Sequence, residues 1–164
     1  MSKHPRPTLR ERVKSAILEA AAEVLAARGE QASMSDVAAA AGVARATVYR
    51  YFPSRQVLLD ELAQLAVEDA AAGLAAAGLD SVPAPEAVER AVRSLVAVGD
   101  SFIVLARERV QPEPEQFEAA VAQPLRRLLQ RGQESGDIRG DVPASSLADA
   151  LVSLVVSLLL ASPS

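Results

Sequence analysis

Apolar residues recur at intervals of three and four positions along most of the chain, which is the period of an amphipathic α-helix. The first such stripe runs from Leu9 to Arg28. A capping box, with Thr8 at the N-cap and Glu11 three residues later, is expected to begin this helix, and Gly29 to end it. No segment shows the strict alternation of apolar and polar residues that a half-buried strand requires. The pattern therefore predicts an all-α fold.

Glycine and proline residues mark the breaks between the later helices. Gly42 permits a tight turn, the segment from Gly73 to Pro85 is predicted to be a connector, and Gln111 to Glu115 must interrupt a helix. Gly99 to Ser101 is a candidate for a further break, and Pro124 is expected either to start a new helix or to kink one. The predicted helices between these breaks cover approximately residues 33–41, 44–51, 54–72, 85–110, 117–133 and 143–160.

The composition excludes several kinds of chemistry. Half of the 164 residues are apolar but only 3% are aromatic, so the core must consist mostly of Ala, Val and Leu, which favours close-packed helices. The chain has no cysteine, which rules out disulfides and thiolate ligands. His4, its one histidine, lies in a tail, Met1 to Pro7, that is expected to be disordered. We therefore expect no cofactor, no metal site and no catalytic residue.

The net charge of −4 is unevenly distributed along the chain. Residues 1–60 carry nine Lys and Arg against six Asp and Glu, whereas residues 61–164 carry eight against fifteen. A basic N-terminal part on an acidic body suits a DNA-binding head, although chance variation among solvated helix faces produces the same asymmetry. No signal peptide is visible, and the most apolar run, Ala150 to Ala161, is shorter than the roughly 20 residues of a membrane span. The chain is predicted to be soluble and cytoplasmic, without membrane contact.

Residues 33–62 hold the most informative pattern in the chain. Two short helices, with Ser33 capping the first, are separated by the turn at Gly42, and a third helix starts after Pro53. This is the helix-turn-helix arrangement, which sets its second helix into the major groove of DNA. Double-stranded DNA is therefore the predicted partner.

This segment resembles the N-terminal domain of the TetR (tetracycline-repressor-like) family. The resemblance covers roughly Leu9 to Leu62 and rests on a long spaced pattern: Ser33, Met34, Val37, Ala38, Ala41, Gly42, Val43, Thr47, Val48, Tyr49, Tyr51, Phe52, Pro53, Ser54 and Arg55. It implies a helix-turn-helix DNA-binding domain over residues 1–53 and a helical ligand-binding and dimerisation domain over residues 54–164. It also implies a homodimeric repressor that a small-molecule effector releases from a palindromic operator.

Two features depart from the family pattern. Ala44 stands where the family usually has a serine or threonine that caps helix 3, and alanine is a poor N-cap that costs about 1 kcal/mol. The family also usually pairs two helices at the end of the chain in a four-helix dimer interface, whereas here only Pro143 to Leu160 is available. We therefore expect the family's last helix to be missing, in a short member or a truncated chain.

The predicted DNA contacts lie on helix 3 and beside it. Helix 3 is expected to bury Val48 and Phe52, which lie one turn apart, while Arg45 in its first turn can offer guanine O6 and N7 a guanidinium fork. Three further residues project from the side of helix 3 opposite the core: Ala46, Thr47 and Arg50. The resemblance implies phosphate contacts at five more residues: Tyr49, Tyr51, Arg55, Ser33 and Ser35.

Each of these residues also has a plainer interpretation. Arg45 and Arg50 would be ordinary solvated arginines, Tyr49 a half-buried core residue, and Ser33 only a helix cap. Lys3, Arg6 and Arg10 could reach the DNA, but a merely solubilising tail is the simpler interpretation.

The C-terminal part offers weaker predictions. The resemblance places an effector pocket among helices between Pro85 and Gln133, where the expected lining residues are Leu95, Phe102, Leu105, Phe117 and Val121. The last helix is apolar on nearly all sides and demands a partner, within the subunit or in a homodimer. The residues expected at the dimer interface are Leu147, Leu151, Leu154, Val155 and Leu158.

Three other functions compete with that of a ligand-controlled repressor. A DNA-binding dimer whose C-terminal domain only dimerises, or binds a protein partner, remains open. An enzyme would need a catalytic constellation, and the sequence shows none. A purely structural helical module would leave the basic and tyrosine residues of helix 3 unexplained.

Overall fold

Nine α-helices follow one another along residues 8–161, which are the residues that the computed structural model describes. Short 3₁₀ turns at Gly29–Gln31 and Leu79–Ser81 and a π-helical turn at Glu118–Ala122 join them, and this part of the chain contains no strand. The prediction of an all-α fold is confirmed, while the tail expected to be disordered, with His4, Lys3 and Arg6, lies outside the described residues. The helices are α1 Leu9–Arg28, α2 Met34–Ala40, α3 Arg45–Tyr51, α4 Arg55–Ala76, α5 Ala84–Ala97, α6 Gly99–Glu108, α7 Pro114–Phe117, α8 Gln123–Ser135 and α9 Ala144–Ala161.

Local capping begins and ends the first helices as predicted. The Thr8 hydroxyl accepts a hydrogen bond from the Glu11 amide and the Glu11 carboxylate accepts one from the Thr8 amide, at 3.2 and 2.6 Å. Gly29 and Gly42 have φ values of 56° and 66°, a left-handed conformation that glycine adopts without strain. Ala44 makes no side-chain cap at α3, as its methyl group requires.

The chain divides into two compact units, and the first extends through Leu62. The sequence placed the end of the first domain at residue 53, so the structure moves the boundary into the third turn of α4. Two hydrogen bonds explain the difference: Lys14 Nζ donates to Glu61 Oε2 at 2.7 Å, and Arg55 Nη1 donates to the Ala32 carbonyl at 2.6 Å. The beginning of α4 is therefore held by the helices that precede it.

Helix α4 is longer than the sequence indicated. The segment after Gly73 was expected to be a connector, but α4 continues to Ala76. A β-carbon at position 73 would lie 3.3 Å from Ser94 Cβ, and the Ser94 hydroxyl donates to the Gly73 carbonyl at 3.3 Å. Gly73 thus permits the close approach of α5 to α4 and does not end the helix.

The second unit begins at Ala63 and surrounds one large apolar core. Helices α8 and α9 pack against each other and against α5, so the last helix has helical neighbours within the subunit. A β-carbon at Gly132 would lie 2.5 Å from Ile138 Cδ1 and 2.8 Å from Ala84 Cβ, so only glycine allows α8 to lie this close to the start of α5. The core residues include Ala70, Leu74, Ala87, Ala91, Leu95, Val121, Leu125, Leu128, Ala148 and Val155.

A π-helical turn accommodates Pro124. This proline lies in the first turn of α8, as one of the two expected alternatives had it, although the chain stays helical from Pro114 through Glu118–Ala122 to Ser135. Proline has no amide hydrogen and clashes with the carbonyl four residues earlier in a regular α-helix. The wider turn just before Pro124 relieves that conflict, and single π turns of this kind occur often at functional sites.

Two helical segments among residues 8–161 are long and apolar enough to cross a membrane, judged by length and composition alone: 55–81 and α9. A core helix of a soluble protein passes the same test. Both segments contribute residues to the apolar core of the second unit, and 39% and 17% of the two apolar windows are buried.

Candidate nucleic-acid interface

Helices α2 and α3 pack against each other across the turn at Gly42 and form the predicted helix-turn-helix. Val48 and Phe52 are completely buried, as are Val37 on α2 and Leu58 at the start of α4. The predicted inner face of α3 is confirmed, and these apolar contacts determine which side chains of α3 face away from the core.

The opposite side of α3 carries most of the predicted DNA-contact residues. Arg45, Ala46, Tyr49 and Arg50 are exposed, while Thr47 is half-buried. The structure therefore brings a basic, partly aromatic surface together on one short helix.

Each tyrosine of the chain lies beneath an arginine. The Arg45 guanidinium carbon is 5.3 Å from the centroid of the Tyr49 ring, and Arg50 lies in the same way 5.5 Å from the Tyr51 ring. Arg45 Nη2 also donates to the Tyr49 hydroxyl at 3.4 Å, which is long for a hydrogen bond. These cation–π contacts were not predicted from the sequence, although the four-residue spacing of Arg45 and Tyr49 permits one of them.

The start of α2 is organised by Ser33 and Asp36. The Ser33 hydroxyl accepts from the Asp36 amide at 3.2 Å and donates to Asp36 Oδ2 at 2.6 Å, while the Ser33 amide donates to the same oxygen at 2.8 Å. These bonds, followed by the nearby Arg28 guanidinium, hold the pKa of Asp36 below its ordinary value. Ser33 is therefore a helix cap, as the plainer interpretation had it, and Ser35 lies exposed in the first turn beside it.

Arg55 has a structural role that sequence reasoning missed. Its guanidinium is half-buried and donates to the carbonyl of Ala32, the residue before Ser33. Arg55 thereby ties the start of α4 to the start of α2. The sequence offered no signal for this contact, because residues 32 and 55 are far apart along the chain. The fold of α2 and α3 brings them together.

A cavity of about 570 Å³ lies between the beginning of α1 and the end of α3. Arg10 from α1 and both Arg50 and Tyr51 from α3 line it, together with Leu9 and Val13. The structure thus groups Arg10, which had been assigned to a merely solubilising tail, with two predicted DNA-contact residues. The distance between Arg10 and α3 in the sequence hides this proximity, and a DNA contact of Arg10 stays a prediction.

The five residues predicted to line an effector pocket do not share one site. Leu95 and Val121 are 3% and 0% exposed in the large core, whereas Leu105 belongs to a separate cluster with Ala63 and Ala66. These three residues are buried against neighbouring helices in the ligand-free chain, and their role in lining an effector pocket stays a prediction. Phe117 packs beside the large core, and Phe102 packs against both clusters.

The predicted dimer residues of α9 divide into three groups. Leu154 and Leu158 are 56% and 58% exposed, and Leu147 and Leu151 are half-buried. Val155, by contrast, is 4% exposed in the core, so its assignment to a dimer interface is wrong. Helix α9 packs against α5 and α8 on the side that carries Val155. A groove of about 460 Å³ is lined by residues of α5, α8 and α9, among them Val88, Leu129, Leu147, Leu151 and Leu154.

No group of three or more acidic, histidine or cysteine side chains suitable for a metal ion occurs within residues 8–161.

Comparisons with known proteins point in the same direction as the geometry. Residues 17–62 match the family model of bacterial regulatory proteins of the tetR family. Over 107 residues the chain is 39% identical to the HTH-type transcriptional repressor LfrR of Mycolicibacterium smegmatis. That alignment covers 65% of this chain and 56% of the repressor, so the chain spans little more than half of this curated relative.

Solved structures share the fold over nearly the whole chain. The TetR-like transcriptional regulator LfrR from Mycobacterium smegmatis, in complex with proflavine, is 30% identical with a TM-score of 0.62, over 93% of this chain and 100% of that one. The TetR family transcriptional regulator PfmR from Thermus thermophilus is 25% identical with a TM-score of 0.69, over 96% and 88% of the two chains.

Proposed function

This chain belongs to the TetR family of bacterial regulatory proteins, and from that premise we propose that it is a sequence-specific, DNA-binding transcriptional regulator. It acts in the cytoplasm as a homodimeric repressor on a palindromic operator, and a small-molecule effector releases it. One observation carries the proposal: α3 buries Val48 and Phe52 and presents Arg45, Tyr49 and Arg50 to solvent. Occupying an operator requires no chemical step, so we expect no enzymatic activity.

The proposed base contacts come from the exposed side of α3. The first turn of this helix lies in the major groove, where Arg45 donates to guanine O6 and N7. Ala46 and Thr47 offer methyl groups to a thymine methyl, and Arg50 extends the contact along the groove. Base contacts of this kind carry the sequence preference of the regulator.

The proposed phosphate contacts surround the base-contacting helix. Ser33 and Ser35 at the start of α2 are proposed to contact one phosphate, and the hydroxyls of Tyr49 and Tyr51 donate to phosphates nearby. Arg55 holds the Ala32 carbonyl and so supports the start of α2, in addition to its own proposed phosphate contact. These contacts add affinity for any duplex and make binding depend on salt.

The proposed homodimer uses the exposed side of α9. Leu154 and Leu158 lie one turn apart and expose more than half of their side chains, an arrangement that a soluble monomer seldom leaves uncovered. Leu147 and Leu151 continue the same apolar surface into the groove beside α8. A second copy of the chain would bury this surface and present two helix-turn-helix units to the two operator half-sites.

The effector is proposed to bind in the second unit. The relative LfrR has been crystallised with proflavine, and this chain places its two aromatic residues of that unit, Phe102 and Phe117, beside the large core. An effector that binds the DNA-free form better than the DNA-bound form shifts the population toward release. The alternative, a C-terminal domain that only dimerises or binds a protein, predicts no such shift.

The first test is selection of binding sites from random duplex DNA at near-physiological salt. We expect an enriched palindrome with two half-sites, bound by a dimer. Proflavine is then titrated into the complex, and release of DNA, measured by fluorescence anisotropy with a labelled operator, supports the effector arm. A folded protein that enriches no sequence would refute the proposed function. Operator binding that proflavine and a panel of apolar compounds leave unchanged would favour the alternative.

A further inference from the structure

The aromatic composition of α3 is unusual for this chain. The full sequence has two tyrosines and no tryptophan, and both tyrosines lie on this seven-residue helix. Each of them carries an arginine guanidinium within about 5.5 Å of its ring. Two cation–π pairs on one short exposed helix are more than the usual frequency of roughly one pair per 70–80 residues predicts.

The Arg45–Tyr49 pair has the geometry that keeps an exposed arginine in one orientation. The two residues are four positions apart, so both project from the same face of α3. The Arg45 guanidinium lies 5.3 Å from the centroid of the Tyr49 ring, and its Nη2 is 3.4 Å from the hydroxyl of the same residue. Of the two contacts, the one with the ring is the better formed, because the 3.4 Å distance to the hydroxyl is long for a hydrogen bond.

An arginine held in this way loses less conformational freedom when it binds. A free arginine side chain has many rotamers, and ordering them reduces affinity. Stacking on an aromatic ring leaves the edge of the planar guanidinium open, and this edge carries the N–H donors that match guanine O6 and N7.

We propose that Tyr49 is a positioning residue for base recognition. Its ring holds the Arg45 guanidinium for contact with guanine, so Tyr49 determines base preference through Arg45, separately from any phosphate contact of its own hydroxyl. The inference rests on the proposed function, and it assigns the ring and the hydroxyl of one side chain to two different tasks.

The two tasks are separated by two substitutions at position 49. Tyr49→Phe keeps the ring and removes the hydroxyl, whereas Tyr49→Leu removes the ring and retains high helix propensity. Because Tyr49 is 37% exposed, neither change disturbs the buried core. Circular dichroism and thermal unfolding of each variant verify that α3 and the first unit remain folded.

The measurement is the affinity of each variant for the selected operator and for operators with one base pair changed in both half-sites. We expect Arg45→Ala to abolish the preference at one position, by about five- to tenfold or more. Tyr49→Leu should reduce the preference at that same position, and Tyr49→Phe should retain it while lowering affinity for all sequences alike. A Tyr49→Leu variant that keeps the full preference, or weakens every operator equally, would overturn the inference.

A double-mutant cycle provides the matched control. Arg45→Ala and Tyr49→Leu should combine non-additively, because each removes the same contact. Arg50→Ala and Tyr49→Leu should be additive, because Arg50 lies over the ring of Tyr51 and not over that of Tyr49. Additivity in both cycles would contradict the proposed role of Tyr49. A wild-type protein that selects no operator would overturn both the proposed function and this inference, whereas a preference that survives loss of the ring overturns the inference alone.

Discussion

The uncapped start of α3 allows a gain of stability to be predicted. Ala44 has φ −68° and ψ 145°, the extended backbone of an N-cap residue, but it has no side-chain oxygen. Its carbonyl already accepts from the Thr47 amide at 2.8 Å, so the helix begins in the normal way apart from the missing cap. Ala44→Thr introduces a hydroxyl at an exposed position, where it can accept from the amide of Ala46 or Thr47.

The expected size of the effect follows from the value of an N-cap. A threonine cap in place of alanine stabilises a helix by about 1 kcal/mol, within a range of roughly 0.5–2 kcal/mol. For a unit of this size, about 1 kcal/mol raises the midpoint of thermal unfolding by roughly 4–8 °C if the unit unfolds by itself. Ala44→Val is the matched control, since valine has the shape of threonine and no oxygen.

The assay compares these two variants by urea unfolding and by amide hydrogen exchange at Ala46 and Thr47. We expect slower exchange and a higher urea midpoint for Ala44→Thr than for both Ala44→Val and the wild type. Equal stability of the threonine and valine variants would show that the start of α3 is not limited by its cap. The same comparison with operator DNA asks whether the better-ordered helix also binds more tightly.

Three further predictions concern packing, assembly and pH. Gly132→Ala should lower the free energy of unfolding by about 1–2 kcal/mol, because overpacking outweighs the gain in helix propensity. The control is Gly99→Ala, whose new methyl group meets only the flexible end of a leucine. In urea unfolding, its loss of stability should be smaller than that of Gly132→Ala by at least about 1 kcal/mol. Replacing Leu154 and Leu158 together by glutamate should give a folded monomer in light scattering, and a species of dimer mass would contradict the proposed interface. Asp36 has a lowered folded-state pKa, so its stabilising effect is present above the unfolded value of about 3.9 and is lost as the pH falls through the folded value. In urea unfolding, Asp36→Asn should therefore be less stable than the wild type at neutral pH, and this difference should shrink as the pH falls through the folded value; a difference of equal size at neutral and acidic pH would contradict this cause.

Sequence reasoning succeeded where the structure is determined by neighbours along the chain. The capping residues Thr8 and Ser33 and the turn at Gly42 act through backbone bonds a few positions away, so their consequences are visible in the sequence. The burial of Val48 and Phe52 likewise follows from helical spacing. These local rules were sufficient to predict the helix-turn-helix and the exposed side of α3.

Sequence reasoning failed where contacts between distant residues decide the outcome. The sequence predicted a helix end at Gly73, but this glycine instead makes room for Ser94 of the next helix. Val155 looked like an interface residue because α9 is apolar on nearly all sides, and only the position of its neighbouring helices shows which side is buried. Arg55 was assigned to phosphate alone because its bond to Ala32 spans a tertiary contact.

The π-helical turn at Glu118–Ala122 has a consequence for insertions and deletions. Such a turn is equivalent to one extra residue inserted into an α-helix. Removal of one residue from a regular helix rotates everything after it by about 100°, which would take Leu125 and Leu128 out of the core. Here the deletion of a single residue within the π turn would instead restore regular winding and leave those leucines on the same side. The same deletion would place Pro124 inside a regular helix, which costs about 3 kcal/mol, so the register would be kept at the expense of stability.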